Sequence, residues 1–288
     1  MKIQNRAKIC LCISIVIMLV AVVMSLTGHG INYGIDFAGG LNLQYDMGST
    51  YDKADVEEAL KAQGIEEFVV STVGSEGTAV QIRVPTLSDE DEVQNLQNGL
   101  ETTLLEKYPN MDTDNATASY VGPVAGATLV RNAIFSVLIA AVLMLIYIAF
   151  RFDLFSGVAA VAGLLHDVLI MISFMVILRN VIQMNSSFIA AMLTIVGYSI
   201  NNTIVIFDRI RENNKKPALA GQPRSEIVEL SVKESLGRTI NTTLTTLVTI
   251  VTLYILGVAS IREFSLPIII GILAGAYSAN LINGYVWA

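Results

Sequence analysis

The sequence predicts a polytopic α-helical membrane protein with six transmembrane helices and a small α+β ferredoxin-like extracytoplasmic domain, and three observations carry that prediction. First, 53% of the 288 residues are hydrophobic and only 15% are charged, where soluble domains carry about 25% charged residues. Second, six apolar runs, at about 9–27, 132–150, 157–178, 187–207, 239–258 and 264–286, are each long enough to cross about 30 Å of hydrocarbon. Third, the first two runs are separated by one long segment, about 28–128, of different composition. The expected organisation is an N-terminal segment with the first helix at 1–30, an extracytoplasmic domain at 31–123, and a five-helix bundle at 124–288 with a cytosolic loop at about 209–238.

The first run, Ile9 to Leu26, has no charge. Lys2, Arg6 and Lys8 precede it as they would a signal peptide, but it exceeds the usual apolar region of about 7–15 residues and Ser25–His29 is a weak cleavage site. It is therefore read as a retained helix. Cys10 and Cys12 lie inside it and read as small packing residues. Basic residues collect on the cytosolic side of spanning helices. Lys2, Arg6, Lys8, Arg151 and the cluster Arg209, Arg211, Lys215, Lys216, Arg224, Lys233 and Arg238 mark one side, against Arg179 and Arg262 on the other. Both termini are then cytosolic and the long segment lies outside.

From Gly28 to Thr128 there are 17 Asp or Glu against four Lys or Arg, a balance of −13 in a chain of −7, which leaves the remainder basic by 6. That polarity suits an anionic membrane lipid surface and argues against nucleic acid. Leu41–Tyr45 alternates like a strand, and Lys53 to Gln63 places Val56 and Leu60 at helical spacing. Phe68–Val73 and Ala79–Val84 read as strands bracketing a turn at Gly74–Gly77. Ser88–Glu92 opens a second helix with a capping residue and acids in its first turn. A last strand near Ala116–Val121 completes a β-α-β-β-α-β order.

Three features have chemical content. Gly34-Ile-Asp-Phe-Ala-Gly-Gly40 has no following helix and no Lys-Ser/Thr, so a hinge bend using Asp36, Phe37, Gly39 and Gly40 accounts for it better than a phosphate cradle. His166 and Asp167 fall in mid-span; neighbours on a helix point about 100° apart, so at least one faces a bundle interior. Either an interhelical hydrogen bond or proton handling would explain them. The richest polar group is Ser199, Asn201, Asn202, Thr203 and Asp208 in the fourth run, with Arg238, Thr239, Asn241, Thr242 and Thr243 opening the fifth; Asp208 and Arg238 lie near one depth, where they could pair. No metal-ligand set and no nucleophile–base pair stands out, so neither cofactor nor enzymatic hydrolysis is expected.

These segments resemble the SecF branch of the SecDF protein-export family. The resemblance rests on Gly34–Gly40, Val121-Gly-Pro-Val-Ala-Gly126, Tyr147-Ile-Ala-Phe-Arg-Phe-Asp153, Leu165-His-Asp-Val168, Gly197-Tyr-Ser-Ile-Asn201 and Phe207-Asp-Arg-Ile-Arg-Glu-Asn213, in order along nearly the whole chain. It implies membership of the resistance-nodulation-division superfamily and a bacterial cytoplasmic (inner) membrane location. It also implies SecD, the SecYEG translocon, YajC, SecA and an unfolded preprotein as partners, with late translocation driven by the proton or sodium motive force. The family's relay position maps to Asn202, and the residues' own chemistry adds Asn201, Arg238, Asp167, Asp208 and Thr242 as ion-pathway or coupling candidates.

Position 202 departs from the pattern: the family usually carries Asp there as the proton-relay carboxylate, and an amide cannot exchange a proton near neutral pH. Three accounts follow. SecD holds the sole relay carboxylate with Arg238 as its basic counterpart, which is the preferred one; Asp167 or Asp208 substitutes; or the subunit works without proton transfer. The alternatives in function are an uncoupled structural partner of SecD and a small-molecule exporter of the same superfamily. The stretch Gly284–Ala288 lacks the basic tail expected after a last inward helix, as an incomplete gene product would.

Overall fold

The computed structural model describes residues 3–73, 77–85, 87, 90–152 and 154–288. Most of the expected turn at 74–77, the expected cap at Ser88 and Asp153 lie outside these residues. In chain order the elements are α1 (Ile3–Leu26), α2 (Ile35–Ala38), β1 (Gly40–Asp46), α3 (Lys53–Ala62), β2 (Val69–Val73), β3 (Ala79–Val84), α4 (Glu90–Lys107), β4 (Asp112–Val121), α5 (Pro123–Arg151), α6 (Leu154–Ile177), α7 (Ser186–Asn214), α8 (Arg224–Leu256), α9 (Ala259–Ser278) and α10 (Gly284–Trp287). A π-helical turn, Ala279–Asn283, joins the last two. The chain forms two compact units, residues 33–133 and residues 1–32 with 134–288.

The smaller unit is an antiparallel sheet of order β2-β3-β1-β4. The pairs Leu41↔Val84, Leu43↔Ile82 and Tyr45↔Val80 set six apolar side chains on one face, all of them buried, as a period of two demands. Val56 and Leu60 of α3 with Leu96, Leu100 and Leu104 of α4 belong to the same core. Inside it the Tyr45 hydroxyl donates to Glu101 Oε1 at 3.0 Å; burial, then the Glu101 charge, push that phenol above its ordinary range. Asp55 ties α3 to the end of α4, accepting from the Tyr108 hydroxyl at 2.6 Å and from Lys107 Nζ at 3.0 Å.

The glycine-rich segment holds more structure than a bend. Ile35–Ala38 forms one helical turn, after which Gly39 and Gly40 adopt φ of 78° and 109°. A Cβ on Gly40 would stand 2.8 Å from Pro85 Cα, so β1 can pair with β3 only if this position is glycine.

The larger unit supplies the apolar helices. Among the described residues, six helices are long and apolar enough to cross a membrane: Ala7–Leu26, Val124–Arg151, Phe155–Ile177, Ser186–Asn214, Arg224–Leu256 and Ile261–Trp287. The third, fourth and sixth are 56, 50 and 61% buried, whereas the first, second and fifth are 11, 6 and 11% buried. The core is thus α6, α7 and α9, and α1, α5 and α8 turn most of their apolar surface outward. Small residues let the core helices close: Gly275 of α9 sits where a Cβ would meet Ser199 Cβ at 3.0 Å, and one on Gly271 would meet Met171 Sδ at 2.9 Å. The segment expected as a loop at about 209–238 is mostly helix, because α7 runs to Asn214 and α8 starts at Arg224 with one 3-10 turn between them, Pro217–Leu219.

Two outcomes follow for the smaller unit in the intact chain. Gly40→Ala lowers its unfolding free energy by about 2 kcal/mol or more, from left-handed strain plus backbone overlap. Gly64→Ala, where φ is 81° with nothing within 4 Å, costs only the strain; equal losses in thermal proteolysis would show that the Pro85 contact is not limiting. Asp55 lies below its ordinary value of 3.8 because the Tyr108 hydroxyl, then Lys107, stabilise the carboxylate. A lowered folded pKa gives stability that is full above the unfolded value and lost as pH falls through the folded one. Amide exchange in α3, corrected for intrinsic rates, should therefore quicken between about pH 5 and about pH 3, and Asp55→Asn should flatten that dependence; an unchanged profile would rule out this carboxylate.

Candidate functional site

The most demanding group in the bundle is Asp167, fully buried in mid-α6. Its Oδ1 lies 2.9 Å from His166 Nδ1, and its Oδ2 accepts from the hydroxyls of Ser199 on α7 and, at 2.9 Å, Ser278 at the end of α9. Three helices therefore meet on one carboxyl group. Two serine hydroxyls donate to Oδ2 while Oδ1 faces the imidazole, so both oxygens of the group are met from inside the bundle.

His166 is also buried, although it points about 100° away from Asp167 around the helix. The helix that covers it is α1: His166 Nε2 lies 2.7 Å from Ser14 Oγ, and Ser14 Oγ lies 3.1 Å from the Tyr277 hydroxyl. The Tyr277 ring stacks beside the imidazole at 5.9 Å, and its hydroxyl donates to the Cys10 carbonyl, which Ser14 also reaches at 3.2 Å. Ser14 has one hydrogen and three acceptors within reach, His166 Nε2, the Cys10 carbonyl and the Tyr277 hydroxyl oxygen. With a neutral ring it donates to Nε2; with imidazolium it accepts from Nε2–H and turns its hydrogen to Cys10. The chain Asp167–His166–Ser14–Tyr277 therefore holds two hydrogen-bond polarities that differ by one proton, without moving a heavy atom.

A second polar track continues from Ser199. Thr203 bonds the Ser199 carbonyl at 3.2 Å and accepts from Asn283 Nδ2 at 2.8 Å. The Thr239 hydroxyl on α8 donates to Asn280 Oδ1 at 2.9 Å. Both asparagines sit on the π-helical turn, whose wider spacing sends one to α7 and the other to α8. Asn202 is buried on the same helix, and its Nδ2 has no acceptor among the described residues. A buried donor left so costs about 1–3 kcal/mol.

The other positions expected for coupling do not gather here. Asn201 is exposed. Asp208 does not pair with Arg238; it faces Arg151 Nη2 at 3.8 Å, with both side chains about half exposed. Arg238 stands 14 residues into α8, about 21 Å along the axis, and has no ion-pair partner among the described residues. Thr242 bonds the Arg238 carbonyl at 2.9 Å, within its own helix. Asp36, Phe37, Gly39 and Gly40 belong to the other unit, around α2, where a Cβ on Gly126 would lie 3.2 Å from the Phe37 carbonyl. Among the described residues, no three His, Cys, Asp or Glu side chains come together. Ser14, Tyr277, Ser278, Asn280 and Asn283 are the members that sequence reasoning missed; the polar run in Ala276-Tyr-Ser-Ala-Asn-Leu-Ile-Asn283 was the available signal.

Residues 101–288 match the C-terminal family of the protein export membrane proteins SecD/SecF, and residues 25–49 match the SecD/SecF GG motif. The protein translocase subunit SecF of Rickettsia bellii is 35% identical over 280 residues, which are 97% of this chain and 90% of that one. The protein translocase subunit SecDF of Bacillus subtilis is 34% identical over 276 residues, 93% of this chain but 35% of the relative. Among solved structures, SecDF of Thermus thermophilus, a translocon-associated membrane protein, superposes with a TM-score of 0.82 at 33% identity, covering 98% of this chain and 37% of that one. This chain thus spans about a third of the length of those SecDF proteins.

Removing the carboxyl group should separate shape from charge. Asp167→Ala leaves His166, Ser199 and Ser278 facing a void and is expected to cost about 3–5 kcal/mol, read as a lower denaturation midpoint in micelles. Asp167→Asn keeps the volume and one acceptor oxygen and should cost no more than about half as much. If both substitutions leave the midpoint unchanged, the carboxylate does not hold these helices together.

Proposed function

Because the chain belongs to the SecD/SecF protein-export family, we propose that it is an auxiliary subunit of the Sec preprotein translocase that acts with SecD, using the proton or sodium motive force, to promote late translocation and release of secreted proteins. The names of the relatives support translocation and, through the fused SecDF proteins, the partnership with SecD. In this reading the protein sits in the bacterial cytoplasmic membrane beside SecYEG, YajC and SecA. Its unit 33–133 is a ferredoxin-like extracytoplasmic domain that touches the unfolded preprotein. The acidic balance of that region and the basic balance of the rest support the orientation. The thinly covered α8, which exposes Arg238, Asn241, Ile240 and Leu244, is the face offered to SecD.

The observation that carries the coupling is the buried Asp167–His166 pair with its reversible hydrogen-bond chain. With Asn at 202, proton handling in this subunit falls to that pair, and Arg238 serves as the basic counterpart of a carboxylate on SecD. One charge moved through 100 mV gains about 2.3 kcal/mol, roughly a fiftyfold bias between two conformations. A second reading, an uncoupled structural partner of SecD, is favoured by Asn202 itself, since its amide carries no exchangeable charge.

The test is preprotein release from inner-membrane vesicles carrying this chain with its SecD, with the gradient present or collapsed. Release should depend on the gradient with Asn202 in place. It should lose most of that dependence in Asp167→Asn and weaken in Arg238→Ala, while co-purification of SecD is unchanged. Gradient response only after Asn202→Asp would establish the structural-partner reading, and an unaffected Asp167→Asn would remove the relay.

A further inference from the structure

At one end of the bundle, where α5 and α7 finish, α8 begins and α10 closes, lies a cavity of about 530 Å³. Arg151, Arg211, Lys215 and Arg224 line it together with Asn214 and Trp287. Among the described residues, Asp208 faces Arg151 of this lining, whereas Glu212 and Glu234 hold Arg209, Glu212 also holds Lys216, and Glu229 holds Lys233. Among the described residues Arg211, Lys215 and Arg224 have no carboxylate partner. Arg224 is instead held between aromatic rings, 5.7 Å from Phe155 and 5.6 Å from Trp287, a placement that orients a guanidinium while leaving its N–H groups free. Trp287 adds a buried indole N–H that has no acceptor among the described residues.

Three cations without a carboxylate partner and an indole N–H without an acceptor among the described residues, all around one cavity, call for an anion with several acceptor oxygens. We infer that this cavity binds the phosphate headgroup of an anionic phospholipid. Lipid is favoured over a soluble anion by what adjoins the cavity. Phe155, which touches Arg224, begins an exposed apolar stripe on α6 that continues through Val158, Leu165 and Leu169. The spacing keeps that stripe on one helix face along the spanning direction. Phe150, next to Arg151, is 90% exposed. A phosphate seated on Arg211 and Lys215 places its glycerol at the helix ends and its acyl chains along surface that needs hydrocarbon. Basic pockets between spanning helices bind anionic headgroups by this combination.

Trp287 is the only tryptophan of the chain, so its fluorescence reads the cavity directly. The purified full chain is reconstituted in vesicles of phosphatidylcholine containing increasing mole fractions of acyl-brominated phosphatidylglycerol, or of brominated phosphatidylcholine as the neutral arm. Phosphatidylglycerol should quench Trp287 at low mole fraction, well below the neutral lipid. The double variant R211Q/K215Q should raise its half-quenching mole fraction about thirtyfold, from about five- to sixfold per lost surface cation. Lys233→Gln, whose ammonium is paired with Glu229 outside the cavity, reports any general loss of surface charge and should leave the curve in place. Equal quenching by the two lipids, or a curve that the double variant does not move, overturns the inference and gives the face to a protein partner. Displacement by about 10 mM inorganic phosphate with no preference between the lipids also overturns it, in favour of a free-phosphate site.

Discussion

The larger unit depends on one constraint: a carboxyl group that is fully out of solvent must be met by hydrogen-bond partners, and within a bilayer only the protein supplies them. Asp167 takes one from its own neighbour His166, one from α7 and one from the end of α9. Each demand fixes a helix. Ser199 must face α6, which brings α7 close enough to α9 that only glycine fits at 275. Ser278 must arrive at the same depth, which sets where α9 hands over to the π-helical turn. His166, displaced by about 100° from Asp167, then needs its own cover, and α1 provides it through Ser14. The adjacency of the two titratable residues thus explains why a fourth helix joins a core otherwise made by three.

The same reasoning shows what the core leaves undone. Asn202 lies one turn from Ser199, inside the bundle, with an unanswered amide N–H. Asn283 completes one bond to Thr203, but its buried Oδ1 has no donor among the described residues. Two orphaned groups of opposite character along one polar track mark it as less settled than the Asp167 end, where every oxygen is met. A carboxylate at 202 would offer acceptors where the amide offers donors, so that substitution changes the polarity of the track as well as its charge.

Much of this was legible in the sequence, unevenly. The strands of the smaller unit were readable because each buries one face and so alternates, as in Leu41, Leu43 and Tyr45. The six apolar runs were readable because hydrocarbon imposes a length. Helix ends were not: α7 and α8 extend well past their apolar parts as amphipathic turns stapled by Arg209 to Glu234, and the charges that hold them were read as loop. Within the site, Asp167 and His166 stood out because such residues are rare in mid-span, whereas Ser14 and Ser278 look ordinary in any helix and acquire meaning only when the fold aims them at an ion. Asp208 and Arg238 show the converse error. Equal expected depth suggested a pair, but pairing also needs a shared face, and α5 brings Arg151 to Asp208 first.

The contrast between the helices bears on how such a unit works. α6, α7 and α9 form a core around the buried Asp167, while α1, α5 and α8 lie against it with most of their apolar surface uncovered. Lipid can cover an apolar surface, but hydrocarbon offers no partner to an amide such as that of Asn241, which α8 exposes beside Ile240 and Leu244. A helix with such a face is stable in a membrane only beside a protein surface or a wet path, so the exposed side of α8 requires one or the other. The charge at its centre and the polar face at its edge are then linked through one short route, from Asp167 by Ser199 and Thr203 to Asn283, and by Thr239 to Asn280 on the same π-helical turn. A change in proton occupancy at His166 alters what Asp167 asks of Ser199 and Ser278. Those two serines sit on the helices that meet α8, which makes the π-helical turn the element through which the buried charge would reach the edge.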